Sequence, residues 1–508
     1  MAKQVTPREA ITLDSGLPAD REVRYDASAD PLAGDELRDL PIWTPDQIAA
    51  HLNRSGFEWS EKALKDGTIT YGFYDGPTTT GIYNNPHEAA ETYGYSPMTE
   101  AQREATREAL AYWDDLMPIG FQEQANGHGN WDISYANTTT GPGQAWAYLP
   151  HDKFYGAKYK HIEGDVWVNP APVSGIQLED GFYGMQTLVH ETGHALGLSH
   201  PGDYNASDEG ELSYALADYY QDSRQYTVMS YWDSYETGAR HIDWATMRYV
   251  YSTTPLVHDV AAIQALYGVD TTTRTGDTTY GFNWTADLED RTAFQLAPNQ
   301  LAPVFTIWDA GGVDTLDLSG YSTPSYIDLN EGSFSSAGGV EEFLSLEEIN
   351  ANNAAAGLPA RTELLYEIYN NGVEGVNGGE SWREIVGATD GLMHDNISIA
   401  YGAVIENAVG GSGDDTIVGN DADNRLTGGE GEDRLVFKAD AGNDTVTDFA
   451  EGDIIDLSGV AGLDSFAALQ PLLSSDEDDD AVITLGSGKV VLTGVAVSDL
   501  AAEDFLFA

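Results

Sequence analysis

Residues 190–200 read HETGHALGLSH, and this stretch decides what the first half of the chain must build. On a helix, His190 and His194 lie one turn apart on the same face, so their two imidazoles can bind one ion. Gly197 can adopt a left-handed conformation that ends the helix and lets the chain turn back. His200 then reaches the same ion from another direction. Three neutral nitrogens leave a fourth position open, which is typical of a catalytic rather than a structural zinc site.

Glu191 lies beside these histidines without being a ligand in this pattern. Zinc lowers the pKa of a bound water toward about 7 and polarises a carbonyl oxygen. Glu191 would accept the proton of that water and later pass it to a leaving amine. The alternative is a helix whose histidines are only half-buried and hydrogen-bonded. The sequence disfavours it, because adding Gly197 and His200 makes the pattern about 400-fold rarer by chance.

Composition limits the remaining possibilities. At 508 residues the chain suggests about two to four domains, and a hydrophobic content of 41% excludes wholesale disorder. The chain has 24 basic and 83 acidic residues, for a formal net charge of −59, so nucleic acid and anionic lipid are poor partners and divalent cations are good ones. It has no cysteine, which excludes disulfides and thiolate metal sites. No apolar segment predicts a membrane span or an N-terminal secretory signal.

Local patterns divide the chain into three parts. We predict a leader or pro-segment at 1–40, a mixed α/β catalytic domain at 41–268 and an all-β domain at 269–508, with a helical insert at 340–395. The predicted helices are capped by Thr44 with Gln47, Thr99 with Gln102 and Ser345 with Glu348, and further helices cover 183–196, 259–267 and 363–369. Strands are predicted at 68–73, 131–135 and 145–148.

Three contiguous nine-residue units occupy 410–418, 419–427 and 428–436. The first and third match the G-G-x-G-x-D-x-U-x repeat of calcium-binding parallel β-rolls, in which glycines allow tight turns and a carboxylate faces the ion. The middle unit is degenerate. The unbroken register argues against a flexible linker rich in glycine and aspartate. The predicted calcium-binding residues here are Gly411, Gly413, Asp415, Gly428, Gly429, Gly431 and Asp433, and the predicted inward-facing residues are Ile417, Leu426 and Leu435.

The zinc motif resembles that of the metzincin endopeptidases, and residues 227–232, TVMSYW, resemble the Met-turn of the serralysins. The resemblance places Met229 beneath the metal as a hydrophobic base. It also implies that Tyr231 ligates zinc in the resting enzyme and then swings aside to stabilise the oxyanion. The substrate peptide would lie antiparallel to an edge strand near Gly143–Tyr148.

The same family resemblance extends over most of 41–508 and implies further calcium sites at the domain junction. The residues that match its calcium loops are Arg274, Gly276, Thr278, Asp309, Gly311, Gly312, Asp314 and Glu406. The acidic pair and apolar tail at Glu503–Ala508 resemble the uncleaved signal of type I bacterial secretion. The insert near 340–395 departs from the family pattern.

We therefore interpret the chain as a secreted, extracellular bacterial zinc endopeptidase. It is expected to be monomeric, to act on proteins or peptides, to need one zinc and several calcium ions and to leave the cell through a type I apparatus. One alternative is a calcium-binding RTX adhesion or surface protein with a vestigial zinc site, which the intact Glu191 argues against. A second is a zinc hydrolase that acts on a non-peptide amide.

Overall fold

The computed structural model describes most of the chain beyond the predicted leader. The described residues are 36–60, 64, 67–75, 94–124, 131–140, 143–150, 162–170, 178–204, 214–285, 291–298, 300–439 and 442–508. Of the predicted leader, residues 1–35 lie outside this set. Residues 36–41 form a short antiparallel hairpin of β1 (Glu36–Leu37) and β2 (Leu40–Pro41).

The described residues form eight helices, and the three with predicted caps, Thr44, Thr99 and Ser345, begin where those caps predict. The eight helices are α1 (Pro45–Leu52), α2 (Glu100–Asp114), α3 (Tyr183–Ala195), α4 (Val257–Tyr267), α5 (Leu346–Ala355), α6 (Glu363–Asn370), α7 (Trp382–Ile385) and α8 (Phe466–Leu469). Both halves of the predicted capping box are present at α1, α2 and α5. Helix α4 begins two residues before the predicted Asp259, because the Asp259 carboxylate accepts a hydrogen bond from the Leu256 amide and so lies inside the first turn.

The first half of the chain contains a mainly parallel sheet. Its strands are β3 (Thr68–Phe73), β4 (Tyr95–Ser96), β5 (Gly120–Glu123), β6 (Ile133–Thr138), β7 (Ala145–Ala147) and β8 (Val166–Val168). The order is β5-β3-β6-β8-β7, with β4 paired to β6 and β7 antiparallel to β8 at the edge. The predicted strand at 68–73 is confirmed, whereas the one predicted at 131–135 begins at Ile133 and runs to Thr138.

Helix α3 is fixed between this sheet and helix α2. The Trp113 indole of α2 donates a hydrogen bond to the Val189 carbonyl at 3.1 Å, and the Tyr135 hydroxyl of β6 bonds the Thr192 hydroxyl at 3.0 Å. All four residues are buried. Since α3 carries the first two histidines, the core sets their position.

A small hairpin before α4 is formed by β9 (Ile242–Asp243) and β10 (Arg248–Tyr249). The strands that follow α4 are short and numerous. The later strands are β11 (Thr279–Gly281), β12 (Phe305–Ile307), β13 (Thr315–Asp317), β14 (Tyr326–Asp328), β15 (Phe334–Ser335), β16 (Gly339–Val340), β17 (Gly391–Leu392), β18 (Ile397–Ile399), β19 (Asn407–Val409), β20 (Thr416–Val418), β21 (Arg425–Thr427), β22 (Arg434–Val436), β23 (Asn443–Val446), β24 (Ile454–Asp456), β25 (Leu473–Ser475), β26 (Ala481–Leu485), β27 (Gly488–Leu492) and β28 (Phe505–Leu506).

The strands from β19 to β24 alternate between two sheets, while β12, β18 and β15 form a separate three-stranded sheet and β16 pairs with β17. One sheet has the order β11-β13-β19-β21-β23-β27-β26-β25 and the other β14-β20-β22-β24-β28; the pairs from β11 to β27 and throughout the second sheet are parallel. Ile417, Leu426 and Leu435 are buried, as the eighth position of each nine-residue unit predicts. The architecture is therefore a mixed sheet with helices followed by a region of parallel strands.

The predicted insert lies between β14 and β19 in the sequence and contains the helices α5, α6 and α7. Its apolar side chains pack with Trp244 and Met247 in a separate hydrophobic cluster. The Asn353 side chain also bonds both Arg248 and the Thr246 carbonyl, each at 3.0 Å. The insert is thus attached to the hairpin β9–β10 of the first half. Among the residues that the structure describes, no helix is both long enough and apolar enough to cross a membrane.

Candidate active site

The three predicted histidines converge on one point. The Nε2 atom of His200 lies 3.0 Å from Nε2 of His194 and 3.3 Å from Nε2 of His190, and the candidate ligand atoms of the three all lie within 4.8 Å of one another. In tetrahedral zinc coordination, with Zn–N bonds of about 2.0–2.1 Å, neighbouring nitrogens are about 3.3–3.4 Å apart. The two nitrogen pairs that include His200 are therefore spaced close to the separation expected around one zinc ion.

Backbone carbonyls fix which nitrogen of each ring faces that point. Nδ1 of His190 donates to the Val228 carbonyl and Nδ1 of His194 to the Leu198 carbonyl, both at 2.7 Å, while Nδ1 of His200 donates to the Tyr204 carbonyl at 2.9 Å. A proton on Nδ1 leaves the Nε2 lone pair free for a metal. Three lone pairs held together without a hydrogen between them repel one another, and a cation relieves that repulsion.

The histidines are neutral at physiological pH, as metal ligation requires. Burial lowers the pKa of His190 to about 3 and that of His194 to about 4. Burial, with the neighbouring imidazoles, also lowers the pKa of His200 well below its usual value. A proton therefore does not compete with a metal at these nitrogens near neutral pH.

Gly197 turns the chain so that His200 can reach the other two rings. Its φ is +114°, and the amide of Leu198 bonds back to the Gly193 carbonyl at 3.0 Å. A Cβ at this position would lie well under 3.0 Å from the Phe57 carbonyl oxygen, so the turn has room only for glycine. The sequence prediction of a left-handed residue that ends α3 is confirmed.

Glu191 lies next to the histidines with its carboxylate buried. The residue is 5% exposed, and its Oε2 atom has no hydrogen-bond partner among the described residues. Burial raises its pKa to about 8. A buried carboxylate oxygen without a partner is costly in structure alone, which is the condition expected of a group that holds and moves a proton for a substrate.

Met229 and Tyr231 both lie close to the histidine cluster. The fully buried Met229 packs against Gly193 of α3, where an added Cβ would meet its sulfur at 2.7 Å. The ring centre of Tyr231 is 4.5 Å from that of His200 and 6.0 Å from that of His190. The structure therefore brings both residues of the predicted Met-turn to the histidines.

Two protein families and several curated relatives match this chain. Residues 89–226 match the profile of the Matrixin family, and residues 269–364 and 384–472 match the profile described as Peptidase M10 serralysin C terminal. The chain is 38% identical over 337 residues to the serralysin of Proteus mirabilis, 35% over 391 to the metalloprotease AprA of Pseudomonas entomophila and 35% over 379 to serralysin C of Dickeya chrysanthemi. These alignments cover 63%, 76% and 73% of this chain, respectively.

The chain belongs to the serralysin-type metzincins. It spans 64%, 66% and 63% of the length of those three relatives, which is less than two thirds of each. The C-terminal profile leaves residues 365–383 unmatched, and this gap lies inside the predicted insert. For a serralysin-type chain the family implies a catalytic zinc, and the histidine cluster has the geometry to hold it.

The predicted calcium residues of this serralysin-type chain are also brought together at the junction. The Thr278 amide donates to Asp314 Oδ1 at 2.7 Å, and the Asp314 amide donates to Glu406 Oε2 at 2.7 Å. Asp314 Oδ2 is buried without a partner among the described residues, and burial raises the pKa of Asp314 to about 7. A carboxylate oxygen in that condition fits a cation.

The rest of this junction consists of turns packed closely together. A Cβ on Gly312 would lie 2.6 Å from the Gly276 carbonyl oxygen, while the Gly311 amide donates to Asp309 Oδ1 at 2.9 Å. Arg274 has a φ of +47°, and its guanidinium donates to Asp115 at 2.6 Å. Arg274 can therefore offer only its backbone carbonyl to an ion.

The turns of the first and third nine-residue units stack directly. A Cβ on Gly431 would lie 2.5 Å from the Gly413 carbonyl oxygen, and a Cβ on Gly429 would overlap the carbonyl of Gly411. Gly428 similarly faces Gly410 and Asp433. The stacking leaves no room for side chains at these positions.

Two aspartates link these stacked turns. Asp433 Oδ1 accepts a hydrogen bond from the Asp415 amide at 2.9 Å, while Asp415 itself accepts one from the Gly411 amide. The other oxygen of Asp433 is buried without a partner among the described residues. Burial raises the pKa of Asp433 to about 7. The sixth-position aspartates of these two units thus lie side by side at the stacked turns, and their role as calcium ligands stays a prediction.

The degenerate middle unit is satisfied differently. The side-chain Nδ2 of Asn420 donates to the carbonyls of Leu329 and Ile405, both at 2.9 Å. The side-chain Nδ2 of Asn424 donates to Asn420 Oδ1 at 2.7 Å. The side-chain N–H groups of Asn420 thus donate hydrogen bonds to backbone carbonyl oxygens around this turn. This turn is therefore held by side-chain amides rather than by a sixth-position carboxylate.

Two buried carboxylates near the site were missed as functional candidates by the sequence analysis. Asp259 accepts hydrogen bonds from the Thr227 hydroxyl and the Val228 amide, so it holds the turn that precedes Met229. Only its position at the predicted start of α4 marked Asp259 in the sequence, and that position indicates a helix terminus rather than a link to the Met229 turn. Asp222 contacts residues 8 to 18 positions away, and no local pattern marks it.

Proposed function

We propose that this protein is a secreted zinc-dependent endopeptidase that hydrolyses peptide bonds in proteins. The observation that carries the proposal is the set of three converging Nε2 lone pairs beside the unpartnered carboxylate oxygen of Glu191. His190, His194 and His200 would hold the metal. Zinc bound there supplies Lewis acidity and lowers the pKa of water.

The chain's own residues supply the proton transfers and the positioning. Glu191 takes the proton of the attacking water at its carboxylate and passes it to the nitrogen of the leaving amine. Its raised pKa suits this exchange near neutral pH, since a carboxylate that holds a proton more tightly is a better base. Tyr231, whose ring lies 4.5 Å from that of His200, would donate a hydrogen bond from its phenolic hydroxyl to the oxyanion of the scissile carbonyl, and by the family resemblance it would also ligate the metal in the resting enzyme.

A substrate peptide would add to the edge strand β7, within Gly143–Tyr148. Strand β7 is the last strand in the order of its sheet, so its outer edge offers backbone donors and acceptors to an extended peptide. The backbone of a peptide supplies the matching groups, whereas a small non-peptide amide lacks them. This arrangement favours an endopeptidase over a hydrolase of small amides.

The region from 269 to 508 would form a calcium-stabilised β-roll, with the catalytic domain at 41–268. Support comes from the alternating parallel sheets and from the buried, unpartnered oxygens of Asp314 and Asp433. Export through a type I apparatus as a monomeric bacterial protein, directed by Glu503–Ala508, remains the prediction of the family resemblance. The C-terminal strand β28 pairs with β24 and buries Phe505.

The test is digestion of casein by the zinc- and calcium-loaded protein, with mass spectrometric mapping of the cleaved bonds. Chelation of zinc with calcium maintained should abolish cleavage. Glu191→Gln should abolish it too while one zinc per chain stays bound, because the three histidines are unchanged. Glu179→Gln is the matched control, since Glu179 is exposed and precedes the same helix.

The same experiment separates the alternatives. An adhesion or surface protein with a vestigial zinc site would bind zinc without cleaving casein. A hydrolase of non-peptide amides would leave casein intact yet turn over small amides in a manner that depends on Glu191. Full cleavage by Glu191→Gln would contradict the role assigned to that residue.

A further inference from the structure

The loop that carries Tyr231 is held by one buried carboxylate, that of Asp222. Its side chain is fully buried and accepts three hydrogen bonds. The hydroxyls of Tyr204 and Ser230 donate to Oδ1 at 2.9 and 2.7 Å, and the indole of Trp232 donates to Oδ2 at 3.2 Å. Both carboxylate oxygens are therefore used, and both neighbours of Tyr231 in the chain are bonded to the same group.

A second set of hydrogen bonds closes the loop around Tyr231. The Ser230 hydroxyl, which donates to Asp222, also accepts the amide of Trp232 at 3.0 Å. The backbone segment from 230 to 232 is thus folded around one hydroxyl and anchored on both sides to Asp222. Three donors on one buried side chain fix the orientation of the Asp222 carboxyl group, and that group in turn restrains the loop.

Asp222 also links this loop to the third histidine. Tyr204, its first donor, lies with its ring 5.5 Å from that of His200 and 5.1 Å from that of Tyr231. The backbone carbonyl of Tyr204 accepts the Nδ1 proton of His200. The position of the Tyr231 ring relative to the metal ligands therefore depends on a connection that runs through Asp222.

We propose that Asp222 is the positioning residue that holds Tyr231 in register with the histidine cluster. The proposal rests on the proposed function, since it assigns Asp222 to the reaction in which Tyr231 takes part. Asp222 touches neither substrate nor metal and acts through the loop. Replacing it with Asn keeps its shape but places an N–H group opposite one of three donors, which weakens the anchor.

The test is a double-mutant cycle of Asp222→Asn and Tyr231→Phe on the zinc- and calcium-loaded protein, with a defined peptide substrate. In the presence of Tyr231, we expect Asp222→Asn to lower kcat roughly 10-fold with little change in KM, as for other groups that orient a reacting side chain. In the Tyr231→Phe background the same substitution should change kcat less than about 2-fold. Equal losses in both backgrounds, or loss of zinc from Asp222→Asn, would overturn the proposal.

Two further variants protect the experiment against a folding defect. Ser230→Ala removes one donor from Asp222 and should reproduce part of the fall in kcat, again only when Tyr231 is present. Asp218→Asn is the matched control, because Asp218 lies four residues earlier, is exposed and lies 3.3 Å from the His51 imidazole rather than on the loop that carries Tyr231. It should leave kcat unchanged.

A readout without substrate separates this proposal from the proposed function. In the copper(II)-substituted protein, a phenolate of Tyr231 bound to the metal would give a charge-transfer absorption, which Tyr231→Phe should abolish. We expect Asp222→Asn to weaken that absorption and Asp218→Asn to preserve it. An unchanged band in Asp222→Asn would overturn the positioning role, whereas an inactive wild-type protein with a band that responds as expected would refute only the endopeptidase assignment.

Discussion

Replacing Gly197 with alanine tests how closely the metal centre depends on one backbone turn. The residue has a φ of +114°, and an added Cβ would lie well under 3.0 Å from the Phe57 carbonyl oxygen. Ordinary contact begins at about 3.4 Å, so the two segments must separate by about 1 Å or the turn must change conformation. Either response moves His200, which lies three residues further on, away from the other two rings.

The magnitude follows from two contributions. An L-residue in left-handed backbone costs roughly 1–2 kcal/mol, and the collision with a backbone carbonyl brings the total to about 3 kcal/mol or more. Metal ligands must be held within about 0.5 Å of their productive geometry. A displacement of about 1 Å exceeds that tolerance, and we expect zinc affinity to fall roughly 10- to 100-fold, as when other supporting groups of a metal site are removed.

The assay is competition for zinc with a chelator of known affinity, read together with the thermal unfolding temperature. Gly56→Ala is the matched control, because Gly56 also has a positive φ, +64°, but an added Cβ there meets nothing within 4 Å. The control should lose stability without losing zinc affinity. If the two variants bind zinc equally well, the Gly197 turn does not set the position of His200 and the reasoning fails.

Three other outcomes are expected. Tyr231→Phe keeps the ring beside His200 and should lower kcat roughly 100-fold with a smaller change in KM, because the phenol acts mainly in the transition state; an unchanged kcat would make Tyr231 only structural. Removing calcium while zinc is maintained should lower the melting temperature by more than roughly 10 °C, since each site contributes about 2.7 kcal/mol at a hundredfold excess over Kd. Asp415→Ala and Asp433→Ala should each reproduce part of that loss, whereas Asp421→Ala, in the degenerate unit, should not; equal melting with and without calcium would refute the calcium sites. Finally, burial raises the pKa of Asp433 and Asp444 to about 7, so the calcium-free fold retains protons that unfolded aspartates release near pH 3.9, about the usual value. Its stability should therefore fall as pH rises from about 4 to 7, and saturating calcium should remove that decline in thermal unfolding at constant ionic strength.

Short-range chemistry made much of the fold predictable. The capping pairs at Thr44, Thr99 and Ser345 satisfy helix amides within three residues, so nothing outside those segments was needed to place the helix starts. The zinc motif is equally local, because His190 and His194 share one helix. His200 is brought in by a glycine whose conformation the sequence itself indicates.

Long-range pairing could not be predicted in this way. Residues 315–317 pair in register with 407–409, across the whole insert, and no periodicity of either segment specifies that partner. Asp222 shows the same limit at the active site. An isolated aspartate among polar residues is indistinguishable from a solvated one until its three donors are brought to it by the fold.

The attachment of α1 to the histidine loop has a consequence for where the chain can be cut. The Leu52 carbonyl accepts the Ser199 amide at 2.8 Å, the Ser55 hydroxyl donates to the Gly197 carbonyl at 3.1 Å and Arg54 donates to the carbonyls of His200 and Gly202. These bonds make residues 45–55 a brace for the third metal ligand. If the predicted leader is removed by cleavage, we expect the cut to fall before Thr44, which caps that helix, because a shortened form that begins after Ser55 would lose these hydrogen bonds to the histidine loop.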